Sequence, residues 1–170
     1  IGAAFATYYN NTINKRVFQM KHAYWGTSFD NNQILECINK NKKSIKDQKC
    51  SIKYFSENNE LNKIVAKDIS DGKIIGWFQG KMEWGPRALG NRSILGDPRR
   101  SDMKDILNLK IKRRESFRPF APSILREHVS NWFKNDDEVP FMMKVYQIKD
   151  DKIKDIPAVT HVDGSGRLQT

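Results

Sequence analysis

The segment "GKMEWGPRALGNRSILGDPRR" runs from Gly80 to Arg100 and combines four arginines and four glycines with only two carboxylates. It overlaps the end of "KIIGWFQG" (73–80), an apolar run that is typical of a buried strand. A strand that ends in a glycine-rich turn can direct backbone N–H groups at an anion, and guanidinium groups bind phosphate through two parallel hydrogen bonds. The segment therefore predicts a polyphosphate-binding loop, with a structural turn carrying surface arginines as the alternative.

The loop matches neither the GxxxxGK[ST] pattern of a Walker loop nor the GxGxxG pattern of a dinucleotide-binding loop. Its candidate phosphate ligands are Lys81, Arg87 and Arg92, which lie between the glycines. Glu83 and Asp97 are its two carboxylates, and they could orient these arginines or hold Mg²⁺ together with phosphate oxygens. We favour the orienting role.

A second basic cluster is "KIKRRESFR" (110–118). On a helix, Lys110 would share a face with Arg113 and Arg114. The alternative is a solvated helix end, where cations are favoured near the C-terminus. Arg118 differs, because the proline that follows it makes its segment rigid and extended. We expect Arg118 to point at a site.

Four polar residues alternate in "THVDGSGR" (160–167): His161, Asp163, Ser165 and Arg167. On a strand, all four side chains would face the same side. A metal site would need more histidine or cysteine ligands, so we predict no metal site in this chain.

The composition fits one folded domain of 170 residues, with 38% hydrophobic residues and a net charge of +10. This charge favours polyanionic partners, although lysines of a predicted surface loop at 39–49 account for part of it. No apolar run approaches the roughly 18 residues of a membrane helix, so we expect no membrane partner. Cys37 and Cys50 form no CxxC pair, and such sparse cysteines predict a reducing, cytoplasmic location.

Hydrophobic periodicity predicts helices that alternate with strands. One predicted helix begins within residues 1–20, and a second is opened by Asp30 or Asn31; the others span 57–70, 101–112 and 126–134. Predicted strands are 50–55, 73–80 and 140–148, and the segments 117–125 and 156–170 are expected to be extended. The fold class is therefore α/β or α+β with a mixed sheet.

Long stretches of the chain resemble the O-carbamoyltransferases of the NodU/CmcH/TobZ type. The stretches are "GWFQGKMEWGPRALGNRSILGDPR" (76–99), "LNLKIKRRESFRPFAPSIL" (107–125), "PFMMKV" (140–145) and "IPAVTHVDGSGRLQT" (156–170). Members combine an N-terminal Kae1-like domain of the ASKHA type with a C-terminal YrdC-like domain, a twisted mixed sheet flanked by helices. The resemblance implies that residues 1–22 end the first domain and its linker. Residues 23–170 would be a YrdC-like domain that is incomplete at its C-terminus, so we expect a fragment.

The resemblance also implies an activity. Carbamoyl phosphate is hydrolysed to carbamate, which attacks the α-phosphate of ATP to form carbamoyl-adenylate. The adenylate passes to the Kae1-like domain, where a metal site transfers the carbamoyl group to an acceptor hydroxyl. Implied small-molecule partners are carbamoyl phosphate and ATP with Mg²⁺. We expect the 170-residue chain alone to bind nucleotide weakly and to transfer nothing.

Site residues follow from the same resemblance. Lys81, Arg87 and Arg118 would contact the reacting phosphates. The remaining implied substrate or nucleotide ligands are Asn91, Arg92, Ser93, His161 and Arg167.

Two other functions are compatible with the charge. One is a YrdC-like RNA- or nucleotide-binding module linked to tRNA modification, and the other is a domain that binds nucleotide without turnover. A nucleic-acid module would spread its cations among exposed aromatic residues. Here the arginines concentrate in glycine- and proline-rich loops, which favours a closed pocket, so nucleic acid is not the expected partner.

We predict that Lys81→Ala and Arg87→Ala each weaken the use of ATP or carbamoyl phosphate by about 10- to 100-fold, the cost of one charge-assisted hydrogen bond. Steady-state kinetics and thermal melting of the full-length protein would separate this loss from a loss of folding. Lys43→Ala, within residues 39–49, is the control. Equal effects at all three positions would indicate general surface electrostatics instead of a site.

Overall fold

The computed structural model describes residues 2–13 and 15–170. Its helices are α1 (Gly2–Asn10), α2 (Asn31–Lys40), α3 (Lys42–Asp47), α4 (Asn58–Ser70), α5 (Met103–Asp105) and α6 (Val129–Trp132). A π-helix (Ile106–Ile111) continues α5, and short 3₁₀ helices span Arg126–His128, Ile153–Asp155 and Pro157–Val159. The strands are β1 (Ile75–Phe78), β2 (Arg92–Leu95), β3 (Tyr146–Gln147) and β4 (Ser165–Gly166).

Helices and strands both occur, which confirms the α+β class. The described strands form two separate antiparallel pairs, β1 with β2 and β3 with β4. The single twisted YrdC-like sheet stays a prediction, as does the domain boundary after residue 22. The first predicted helix is confirmed as α1; two residues of its 1–20 range, Ile1 and Asn14, lie outside the described residues.

Helix α2 begins where the sequence predicts, at a capping box. The Asp30 carboxylate accepts a 2.8 Å hydrogen bond from the backbone N–H of Gln33, and the Gln33 side chain accepts a 2.9 Å bond from the backbone N–H of Asp30. The predicted helix at 57–70 is confirmed as α4. The predicted surface loop at 39–49 is wrong, because α3 occupies most of it, although its lysines are exposed.

Strand β1 confirms the strand predicted at 73–80, but its partner β2 was not predicted. The register pairs Ile75 with Leu95 and Phe78 with Arg92. The backbone N–H of Gln79 donates to the Asn91 carbonyl at 2.9 Å and extends the pairing beyond the strands. The arginine-rich segment is therefore largely the connection of a hairpin, residues 79–91, which we call the hairpin loop.

The helix predicted at 101–112 is confirmed, and its second half is a π-helix, whose turns are wider than those of an α-helix. Met103 and Leu107 are buried and pack with Ala158. Beyond α5 the backbone becomes a π-helix, and the Lys112 N–H donates to the Leu107 carbonyl at 2.9 Å. One such wide turn shifts every following side chain around the helix axis relative to an α-helix.

The main core lies in the C-terminal part of the chain. It contains Val129, Phe133, Val139, Ile148, Ile156, Val159 and Leu168, all buried. The short helix predicted at 126–134 supplies its centre as a 3₁₀ turn followed by α6. Gly166 packs against this core so closely that a Cβ atom there would lie 3.4 Å from Phe133 Cε1 and 3.3 Å from Ile148 Cδ1.

Two predicted strands are wrong or shortened. Residues 50–55, all described, form no strand. Ile52 and Tyr54 are exposed, so no described sheet packs against the apolar side chains of this segment. The strand at 140–148 reduces to β3, because Met142 has a φ of 52° and turns the chain. In the segment predicted to be extended at 117–125, Phe117 lies in a turn, residues 118–125 contain no helix, and Ser123 forms one bridge to Gln169. The segment at 156–170 is extended only in part, since it includes a 3₁₀ turn.

Among the described helices, none is both long enough and apolar enough to cross a membrane.

We predict that Phe133→Ala lowers the free energy of unfolding by about 3–5 kcal/mol, because it leaves a cavity in the main core. Phe133 is 1% exposed, whereas Phe117 is 76% exposed, so Phe117→Ala is the matched control. Urea denaturation followed by circular dichroism measures both. Similar losses for the two variants would show that the core lies elsewhere.

Candidate active site

Glu83 organises the hairpin loop from its interior. Its side chain is fully buried, and its Oε1 accepts hydrogen bonds from the backbone N–H groups of Leu89 at 2.6 Å and Asn91 at 2.8 Å. Its Oε2 accepts a bond from Arg92 Nε at 3.2 Å. One carboxylate therefore fixes the far end of the loop and Arg92, the residue that begins β2.

Further contacts fix the loop backbone at both ends. Asn91 Nδ2 donates to the Lys81 carbonyl at 2.7 Å, and the Gly90 N–H donates to Ser93 Oγ at 3.1 Å. Gly85 and Gly90 have φ values of 118° and 112°, which a residue with a Cβ rarely adopts. The glycines thus permit the turns, and the side-chain hydrogen bonds select one loop conformation.

The environment of Glu83 lowers its pKa. Burial alone would raise the pKa, but the N–H groups of Asn91 and Leu89 and the Arg92 guanidinium favour the ionised form more strongly. Glu83 is therefore a carboxylate at neutral pH, and its role is to hold the hairpin loop in place.

A cleft of about 260 Å³ opens beside this loop. Its lining carries four cations, Arg87 from the hairpin loop, Lys112 and Arg114 from the segment after the π-helix, and Arg167 from beyond β4. Ser93 and Gln169 add a hydroxyl and an amide. The described lining contains no carboxylate, so nothing in it neutralises these cations.

The cations influence one another. Burial lowers the pKa of Arg167, and the nearby Arg87 and Arg114 lower it further. Burial and then Arg114 lower the pKa of Lys112. Arg167 Nε is buried and finds no hydrogen-bond acceptor in the described part of the chain. A cleft with mutually repelling cations and an unsatisfied donor is suited to an anion.

The aromatic ring of Phe120 lies under two of these cations. The guanidinium carbon of Arg114 is 4.8 Å from the ring centroid, and Lys112 Nζ is 5.8 Å from it. Cation–π attraction at these distances offsets part of the repulsion between the two side chains.

The four polar residues predicted to alternate on one strand face do not lie on a strand together, because the chain turns before β4 and Gly164 has a φ of 77°. Three of them nevertheless form a hydrogen-bonded chain: Ser165 Oγ donates to Asp163 Oδ1 at 2.6 Å and lies 3.0 Å from His161 Nδ1. Burial lowers the pKa of His161, and the positive charges of Arg167 and Lys104 lower it further. The negative charge of Asp163 acts in the opposite direction but does not outweigh them. The imidazole is therefore neutral at pH 7.

Of the predicted site residues, the cleft brings together Arg87, Ser93 and Arg167. The described lining does not include Lys81, Asn91, Arg92, Arg118 or His161. Lys81 is exposed, and Arg118 is paired with Glu115 at 2.9 Å. The substrate-binding roles of these five residues stay predictions.

Lys112 and Arg114 are cleft residues that the sequence did not assign to the site. The available signal was the second basic cluster, which periodicity alone could not distinguish from a solvated helix end. The π-helix decides between these alternatives, because it ends the regular helix before these residues and they turn back toward Phe120.

A second cavity, of about 220 Å³, adjoins the cleft. Its lining is mostly apolar, and it shares with the cleft a wall formed by Ile94, Leu95, Phe120, Ala121 and Ser123. A cationic cleft beside an apolar cavity can accommodate a ligand with one charged and one apolar part.

The described residues include no group of three or more His, Cys, Asp or Glu side chains placed to hold a metal ion. The Glu83 oxygens are already bonded to Leu89, Asn91 and Arg92. Asp97 accepts hydrogen bonds from Arg99 Nε at 2.9 Å and Nη2 at 2.7 Å. Both carboxylates of the segment 80–100 therefore orient arginines, Glu83 with the expected Arg92 and Asp97 with Arg99. The cleft does not fit a Mg²⁺ ion held by protein carboxylates.

We predict that Glu83→Gln destabilises the protein at neutral pH by about 1.5–3 kcal/mol, the worth of hydrogen bonds to a buried charge. The pKa of Glu83 is lowered in the folded state, so its stabilisation is present above the ordinary value of 4.5 and is lost as the pH falls below it. The stability difference between wild type and variant should shrink in the same range. Thermal melting between pH 3 and 7 tests this, with Glu127→Gln, an exposed glutamate, as the control; a pH-independent difference would contradict it.

Comparison with known proteins gives the family. The family model described as "Carbamoyltransferase C-terminus" matches residues 66–170. An uncharacterised protein of Synechocystis is 38% identical over 195 residues, which cover 100% of this chain and 31% of that protein. The nodulation protein NolNO of Sinorhizobium fredii is 53% identical over 108 residues, 62% of this chain and 16% of that protein. The 3'-hydroxymethylcephem-O-carbamoyltransferase of Amycolatopsis lactamdurans is 41% identical over 114 residues, 67% of this chain and 21% of that protein.

The chain spans less than a third of the length of each of these relatives. The matched region contains the hairpin loop, the π-helix and Arg167, and hence the whole cleft. The resemblance predicted from the sequence is confirmed, and the chain belongs to the carbamoyltransferase C-terminus family.

Proposed function

We propose that this chain is the carbamoyl-adenylate-forming part of an ATP-dependent O-carbamoyltransferase, and that its cationic cleft binds carbamoyl phosphate and the phosphates of ATP. The observation that carries the proposal is the convergence of Arg87, Lys112, Arg114 and Arg167 on one cleft whose described lining contains no carboxylate. Family membership supports a carbamoyl group as the group that is transferred. The cleft supplies the positive charge that carbamoyl phosphate and the phosphates of ATP require.

The chemistry brings two anions together. Water cleaves carbamoyl phosphate into carbamate and phosphate; a carbamate oxygen then attacks the α-phosphorus of ATP, and the bond to the β-phosphate breaks as pyrophosphate leaves. The reactants repel each other, and the transferring phosphoryl group is surrounded by negatively charged oxygens. Fixed cations in a partly dehydrated cleft offset both effects, and positioning supplies most of the remaining rate enhancement. The reaction needs no protein nucleophile.

The apolar cavity next to the cleft supports a nucleotide as one substrate. Phosphates beside Arg87 and Arg167 would leave the base and ribose free to reach across the shared wall at Ile94 and Phe120. Since the cleft does not fit a protein-held Mg²⁺, the ion that accompanies ATP would arrive on the nucleotide's own phosphate oxygens.

We propose a YrdC-like fold for the complete domain and a second, Kae1-like part of the protein that carries out the transfer. The relatives are at least three times as long as the matched region, which supports such a second part. The name of one relative specifies a hydroxymethyl group on a cephem as acceptor. A hydroxyl acceptor is accordingly proposed here, with its binding site in the second part.

The proposal predicts that pyrophosphate release by the full-length protein requires both ATP and carbamoyl phosphate. Arg87→Ala and Arg167→Ala should each slow this release by about 10- to 100-fold, because each removes a charge-assisted contact to an anion. Arg126→Ala is the matched control, since Arg126 is exposed and pairs with Asp136. Release that continues without carbamoyl phosphate, or that is unaffected by both cleft variants, would refute the proposed function.

A further inference from the structure

Asn108 is a fully buried polar residue within the π-helix. Its Nδ2 donates to two carbonyls of the following segment, Ser116 at 3.1 Å and Arg118 at 2.9 Å. Its Oδ1 accepts a 2.7 Å hydrogen bond from Arg114 Nε, and its own carbonyl accepts a 2.9 Å bond from the Arg114 backbone N–H. All four bonds therefore go to residues 114–118, a segment that begins with the cleft residue Arg114.

These bonds determine where the Arg114 guanidinium lies. Two points of the residue, its backbone N–H and its Nε, are bound to Asn108, while Phe120 supports the guanidinium face. Arg113, the preceding residue, has a φ of 47°, so the chain reverses just before Arg114. No described residue accepts a hydrogen bond from the two Nη groups of Arg114, which remain available to a ligand in the cleft.

Asn108 differs from the groups that orient other arginines of the chain. Arg92 is oriented by Glu83, Arg99 by Asp97, and Arg118 by Glu115. Each of these carboxylates also neutralises its arginine. The neutral amide oxygen of Asn108 also fixes the direction of the Arg114 side chain, through one hydrogen bond, but leaves its full positive charge for the cleft.

We propose that Arg114 binds the phosphate-bearing substrate directly and that Asn108 is its positioning residue. The inference rests on the proposed function only in that the cleft must bind a phosphate anion. The physical argument is that Arg167 repels the neighbouring guanidinium of Arg114, so a flexible Arg114 would turn away from it. The bond from Asn108 prevents this rotation before the anion arrives, so binding need not order the side chain.

The test uses inorganic pyrophosphate as the probe and calorimetry on the full-length protein. Arg114→Ala and Asn108→Ala should each weaken pyrophosphate binding by about tenfold, the lower end of the cost of one charge-assisted contact. The double variant should bind no more weakly than Arg114→Ala, because Asn108 acts through Arg114. Arg113→Ala, which removes the neighbouring exposed charge outside the described cleft lining, should change the affinity less than Arg114→Ala.

Additive losses in the double variant, or wild-type affinity in folded Asn108→Ala, would overturn the positioning role. If Asn108→Ala does not fold, Arg114→Lys decides, because it keeps the positive charge but lacks the N–H that bonds to Asn108 Oδ1. It should lose about as much affinity as Arg114→Ala, and wild-type affinity would refute the inference. If the wild type itself fails to bind pyrophosphate, the proposed anion cleft fails and this inference fails with it.

Discussion

Repulsion between like charges is the constraint on which this structure depends. Arg87, Lys112, Arg114 and Arg167 line one cleft although they come from three distant parts of the chain. Their electrostatic energy opposes folding as long as no anion is present. The fold holds the cations in place despite this repulsion: the buried Glu83 fixes the hairpin loop that carries Arg87, the Phe120 ring lies under two of the cations, and the amide of Asn108 fixes Arg114. The surroundings of the cleft are thus more tightly hydrogen-bonded than their glycine-rich sequence suggests.

Local patterns predicted the elements whose causes are local. The capping residue of α2, the amphipathic spacing of α4 and the apolar run of β1 are each local signals, and they predict elements close to those observed. Strand β2 could not be predicted in the same way. Its residues look like part of a loop, and they become a strand only through pairing with β1. The strand expected at 50–55 failed for the reverse reason, since its alternation is present but no partner strand covers it.

The site was predictable to a similar degree. Glycines and arginines identified the hairpin loop, and the resemblance to carbamoyltransferases added Arg167, so two of the four cleft cations were predicted as site residues. Lys112 and Arg114 were visible as a basic cluster, but their orientation depends on a π-helix that has no signature in the sequence. Arg118 is exposed and paired with Glu115, outside the described cleft lining, and its role at the site stays a prediction.

The two backbone bonds accepted by Glu83 Oε1 have a consequence for how this protein can vary. They close a ring that includes every residue from Glu83 to Asn91, and the size of that ring is set by the number of residues within it. Substitutions between these positions leave the ring intact as long as the glycine turns remain. An insertion or deletion does not, because it displaces Leu89 or Asn91 from the carboxylate and moves Arg87 with them. The two bonds to Glu83 therefore constrain the length of the stretch from Glu83 to Asn91 in addition to the identity of the residues that hold it.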